Sequence, residues 1–160
     1  MKRTFNATAL RDDVYHFSSA TYIIQENFMT TVTIQYAGVP SLYLSVDTTG
    51  KVLFSTTPSK WDTNNPVTKD NFQNVTLQLN SPGSVDNKKY LCCPPNPSPG
   101  DIFLMEASVS NAASFTQGGP NIGGFPITIN GSPNVFLNRT LQNAVIIGGD
   151  SSQGFVVTPK

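Results

Sequence analysis

Trp61, Asp62, Asn64 and Asn65 stand together in a chain that has no other tryptophan. This combination of residue types is what a sugar site needs. An indole face packs on the C–H face of a pyranose, while carboxylate and amide groups hydrogen-bond its hydroxyls. Further along the chain, Ser110 with Asn111 and then Asp150 with Gln153 occupy comparable places. Trp61, Asp62, Asn64, Asn65, Asp150 and Gln153 are therefore the candidate carbohydrate ligands. The competing reading makes Trp61 a hydrophobic cap on a β core.

Other chemistries find weaker support. The one histidine, His16, lies far in sequence from Cys92 and Cys93, so a nucleophile with a histidine base has no obvious pairing. Two adjacent cysteines and one histidine do not supply metal-ligand spacing. Cys92 and Cys93 read as reduced, partly buried thiols, because neighbours cannot build a disulfide framework. The adjacent carboxylates Asp12 and Asp13 read as solvated charge rather than as the pair that flanks a glycosidic bond. The glycine run from Gly118 to Gly124 lacks the Lys-Ser/Thr ending of a phosphate loop. These readings predict a non-enzymatic protein without cofactor or metal. Sequons at Asn6, Asn74, Asn130 and Asn138 are expected by chance in so Asn- and Thr-rich a chain, and Asn74 and Asn138 fall in or beside predicted strands.

Composition narrows the partners. Ten basic residues balance ten acidic ones, and charged residues make up only 12% of the chain. Ser, Thr, Asn and Gln replace the missing charge, which gives a neutral, hydrogen-bonding surface suited to sugars. Net neutrality predicts no nucleic-acid stripe. No run approaches the roughly 20 apolar residues of a membrane span. The chain as given shows no signal peptide, so a cytoplasmic location or release without a classical signal is expected. A length of 160 residues suits one domain.

The elements that must position these residues are short strands. Ser41 to Ser55 forms a hairpin signal: apolar Leu42 to Leu44, a polar turn from Asp47 to Gly50, then Val52 to Phe54. The unit returns at Tyr90-Leu91 before Phe103-Leu104-Met105 and at Phe136-Leu137 before Val145-Ile146-Ile147. Leu44 to Leu91 spans 47 residues and Leu91 to Leu137 spans 46, which is a repeat. A second mark, Phe28, Phe72, Phe115 and Phe155, recurs at intervals of 44, 43 and 40. Alternation predicts strands from Phe28 to Tyr36 and from Asn74 to Leu79. Thr56 to Asn71 reads as a proline-broken polar excursion, and Glu106 to Ala113 as a loop or a single helical turn. No long helix is signalled, so the fold class is all-β.

These repeats resemble the β-trefoil superfamily, from about Thr21 to Lys160. The resemblance implies one domain over 1–160, with an arm at 1–13 and units at about 14–71, 72–114 and 115–160. Three units of about 46 residues would close a six-stranded barrel capped by hairpins. Tyr43 to Val52 looks like the hairpin of fibroblast growth factors and fascins. Pro133 to Leu137 with Ala144 to Ile147 resembles the interleukin-one family, as does Tyr90 to Cys93 leading to Phe103 to Glu106. The Gln-X-Trp motif of ricin-like lectins is absent, and Ile129-Asn130 replaces the small-residue run expected before Pro133.

The function expected is non-catalytic, lectin-like recognition of a glycan. The alternatives are an interleukin-one-like cytokine with a protein receptor and a trefoil-type protease inhibitor. The stiff loop Cys93 to Gly100 is the inhibitor's candidate element, since a rigid loop loses little entropy on docking.

Overall fold

Strand Thr31–Tyr36 (β1) lies at the centre of the larger of two sheets, with three different strands paired along it. The computed structural model describes residues 30–120 and 123–160. The expected arm, His16, Asp12, Asp13, Asn6 and Phe28 lie outside the described residues, as do Val14 to Phe17 and Thr21 to Ile24, two short runs whose residue types favour strands. The chain is all-β.

The remaining strands are Tyr43–Val46 (β2), Val52–Ser55 (β3), Lys60–Thr63 (β4), Leu77–Asn80 (β5), Tyr90–Cys92 (β6) and Leu104–Glu106 (β7). After them come Phe115–Gln117 (β8), Ile127–Ile129 (β9), Ser132–Arg139 (β10), Val145–Gly148 (β11) and Phe155–Pro159 (β12). One sheet runs β3-β2-β1-β4-β5-β6-β7 with β12 also on β1; the other runs β11-β10-β9-β8. Single antiparallel bridges, Val75 with Phe115 and Phe125 with Phe155, join the two sheets.

The repeated apolar residues have a common structural role. Leu44, Leu91 and Leu137 face Phe54, Met105 and Ile147 across the hairpins β2/β3, β6/β7 and β10/β11, and all three leucines are fully buried. Phe72, Phe115 and Phe155 are fully buried as well. Tyr36, Phe54 and Phe155 form an aromatic triangle with centroids 5.8 to 6.0 Å apart, which ties β1, β3 and β12 together. In the first hairpin Asp47 Oδ1 accepts hydrogen bonds from the backbone N–H groups of Thr49 and Lys51. Gly50 completes that turn at φ 84°, where a Cβ would also meet Asp86 Oδ2 at 2.7 Å.

Two expectations need adjustment. The region Thr56 to Asn71 is not wholly an irregular excursion, because Lys60–Thr63 forms β4 between β1 and β5. Pairing on both edges specifies this strand, and four residues with one large apolar side chain are too few to show alternation in sequence. The first strand begins at Thr31 among the described residues; Val32 and Ile34 bury fully, but Thr33 on the opposite face is buried as well and Tyr36 only partly, so the burial does not strictly alternate. Glu106 to Ala113 holds one 3-10 turn, Val109–Asn111.

Candidate functional site

The six sequence-nominated residues do not meet in one place. Trp61 sits in β4 with its side chain wholly buried, and its indole N–H donates to the Leu44 carbonyl at 3.3 Å. No face of the ring is available to a sugar. Asp62, next in β4, points to the other side of the strand and is 7% exposed. Its Oδ1 accepts from Thr31 Oγ1 at 2.8 Å and Asn80 Nδ2 at 2.9 Å, and its Oδ2 takes the Lys88 ammonium at 2.7 Å. Burial pushes this carboxyl up, but the bonds from Lys88, Asn80 and Thr31 outweigh it and hold the pKa below the usual value.

Asn64 and Asn65 are used within the fold. Asn64 Oδ1 accepts from the Thr76 N–H at 2.8 Å, and Asn65 Nδ2 donates to the Asn74 carbonyl at 2.9 Å. Asp150 lies on a separate shallow cavity with Gly119, Pro120 and Pro126, and its carboxylate receives the Ser152 hydroxyl and N–H. Gln153 locks onto the backbone of Arg139, accepting from its N–H at 2.7 Å and donating to its carbonyl at 3.0 Å. Ser110 and Asn111, the second counterpart, fall on a third cavity.

A cavity of about 840 Å³ opens beside Asp62 instead. Thr31 and Asn80, the two residues bonded to Asp62 Oδ1, form part of its wall. Asp47 and Thr48 of the hairpin turn, Ser55 of β3, and Thr57 to Lys60 on the link into β4 line it too. Val46, Leu53, Pro58 and Pro82 supply apolar surface, and Ser81 and Lys160 complete the rim.

This wall is braced from within. The Thr57 carbonyl accepts from Ser45 Oγ at 2.7 Å and Ser55 Oγ at 2.8 Å, and Ser59 Oγ accepts from the Val46 N–H at 3.1 Å. The link into β4 is thus tied to both strands of the first hairpin. The Lys160 N–H donates to the Thr31 carbonyl at 2.9 Å. Lys60 and Lys160 are exposed and make no ion pair among the described residues. Asp47 is held below the ordinary carboxylate value by the Thr49 hydroxyl and by backbone N–H groups of Lys51 and Thr49, and it stays charged there.

The lining is a set of hydroxyl, amide, ammonium and carboxylate groups on a braced frame. It can donate and accept hydrogen bonds to a polar ligand in several directions. Of the six nominated residues, none is among those that line this cavity. Five residues of the hydroxyl-rich run Ser55-Thr56-Thr57-Pro58-Ser59-Lys60, immediately before Trp61, do line it, and the sequence reading passed over that run. Among the described residues, no group of three or more His, Cys, Asp or Glu side chains could hold a metal ion. No family model, no curated protein and no solved structure matches the chain.

Proposed function

We propose that the chain is a β-trefoil recognition domain that binds carbohydrate in the cavity between the β2/β3 hairpin, the link into β4 and the end of β5. The cavity carries this reading: its volume of about 840 Å³ falls within the roughly 300–1,000 Å³ of small-ligand sites. Its polar groups are mainly hydroxyls and amides, the partners that sugar hydroxyls pair with. Pro58 and Pro82 take the place of an aromatic platform against the ligand's C–H groups.

The trefoil reading draws support from strand order. The described strands fall into three sets of four, β1 to β4, β5 to β8 and β9 to β12, in each of which the second and third strands pair as a hairpin. Ladders join β12 to β1, β1 to β4, β4 to β5 and β8 to β9. The bridges Val75 with Phe115 and Phe125 with Phe155 fall beside the two remaining neighbours of a six-membered ring, β5/β8 and β9/β12. In that reading the second unit runs past residue 114 to include β8.

A glycan array probed with the purified chain, followed by titration of any hit, tests the function. Thr57→Ala with Lys60→Ala should weaken binding by about tenfold or more, since one lost charge-assisted hydrogen bond is worth roughly 1.5–3 kcal/mol. Trp61→Phe should leave affinity within about twofold, because the buried ring lies behind the wall. Absence of any bound glycan, or affinity indifferent to Thr57 and Lys60, would refute the proposal.

A further inference from the structure

The second hairpin inverts the usual pattern of a strand. Along the run into β7, Ile102 is 58% exposed, Phe103 4% and Leu104 51%. Alternation puts Ile102 and Leu104 on one face and Phe103 on the other, so the outward face is the apolar one. Val109, on the 3-10 turn that follows, is 59% exposed. β7 is also the last strand in its sheet order. Leu104 opens β7 and Ile102, just before it, is held by a backbone bridge to Ile146 of β11, so two exposed apolar side chains stand on a fixed run and mark an interaction surface.

Ile102 and Leu104 border a cavity of about 400 Å³ whose far walls are Pro94-Pro95 and the turn residues Ser110 and Asn111. Among the described residues its charged lining is Asp101 and Glu106, with no lysine or arginine. Each carboxylate is aimed by the protein. Asp101 Oδ2 accepts from the Ser98 N–H at 2.8 Å, and Glu106 Oε2 accepts from Asn111 Nδ2 at 2.7 Å. Burial is the main cause that lifts the neighbouring thiols of Cys92 and Cys93, and Glu106 and Asp101 respectively push in the same direction. The groove therefore combines an apolar strip with negative potential.

We infer that this groove docks an extended peptide segment of a partner protein, one that alternates apolar side chains with lysine or arginine. The apolar side chains cover Ile102 and Leu104, and the cations pair with Asp101 and Glu106. The stiff Pro94-Pro95 wall loses little entropy on docking. The groove shares no lining residue with the proposed carbohydrate cavity, so the two sites can fail or succeed separately.

Fluorescence anisotropy of a labelled synthetic peptide alternating valine and lysine, titrated with the full chain, tests this. The same peptide with glutamate in place of lysine is the control. The lysine peptide should bind and the glutamate peptide should not. Ile102→Ser with Leu104→Ser should weaken binding about tenfold or more. Asp101→Asn with Glu106→Gln should weaken it and flatten its salt dependence. Circular dichroism would check that both variants stay folded.

The inference is overturned if the lysine peptide does not bind, if both peptides bind alike, or if either variant keeps wild-type affinity. It is also overturned if sedimentation shows self-association that Leu104→Ser abolishes, for then the occupant is a second copy.

Discussion

Lys88 Nζ lies 2.7 Å from Asp62 Oδ2 and is the only cation paired with that carboxylate among the described residues. Lys88 holds an unusual backbone conformation, φ 65°, in the loop that returns from β5 to β6. Its carbonyl accepts from Gln78 Nε2 at 2.9 Å and its N–H donates to the Leu79 carbonyl at 2.8 Å. The ion pair thus joins β4 to this loop, behind the Thr31 and Asn80 wall of the 840 Å³ cavity.

Asp62→Ala should destabilise the fold by about 2 kcal/mol, because it leaves Asn80 and Thr31 without their acceptor. The pKa of Asp62 is depressed in the fold from an ordinary 3.8. Its contribution is therefore fully present above that value and is lost as pH falls through the lower folded value. Urea titrations at neutral pH and at pH well below 3.8 should show a wild-type advantage that closes in acid. An equal gap at both would mean that ionisation of Asp62 does not contribute.

Gly148→Ala should destabilise by about 1–3 kcal/mol. A Cβ at Gly148 would fall 1.5 Å from Asn138 Oδ1. Asn138 is 5% exposed, and its Nδ2 donates to the Leu137 and Asp150 carbonyls at 2.9 Å. Shortening it by Asn138→Ala carries its own penalty, yet the double variant should be more stable than the sum of the two single effects. Strict additivity in thermal melts would show that the two residues do not share that space. The same burial predicts that a folded chain accepts no glycan at Asn138, while exposed Asn130 remains accessible.

Trp61 provides an intrinsic optical reporter. Its full burial predicts blue-shifted emission, weak quenching by acrylamide and a red shift on unfolding. Trp61→Ala should cost about 3–5 kcal/mol, as for other fully buried aromatic side chains. Emission typical of a hydrated indole in the native protein would contradict the packing of β4.

The two thiols should react slowly in the native state. Burial first and then the Glu106 carboxylate push the Cys92 thiol to about 11, and burial first raises Cys93. Both are thus protonated at neutral pH, and the thiolate is the reactive form. An aromatic disulfide reagent should label half-buried Cys93 slowly and Cys92 only on opening, with both labelled at once in denaturant. The stability that the protonated Cys92 contributes is present below the ordinary thiol value of 9.0 and is lost as pH rises through about 11. Rapid native labelling of both thiols would remove the basis for this.

Local pattern was enough to foresee the all-β class and the three hairpins. Apolar runs around Leu44, Leu91 and Leu137 can bury only as paired strands, and polar turns with glycine or proline separate the runs. The strand β4 was hidden, because what holds Lys60–Thr63 extended is pairing with distant partners: Trp61 lies opposite Val32 of β1, 29 residues away, and the β5 partners are 14 (Thr63 with Leu77) to 20 (Lys60 with Asn80) residues away. The stacking and hydrogen-bonding residue types of Trp61, Asp62, Asn64 and Asn65 were legible in the sequence, but their geometry was not. Residue type records what a side chain can do, whereas burial decides whether it faces a ligand. Tertiary structure turned Trp61 into the core, Asp62 into a brace, and the Thr57–Lys60 link into the cavity wall, because only long-range pairing sets which face of a short strand is covered.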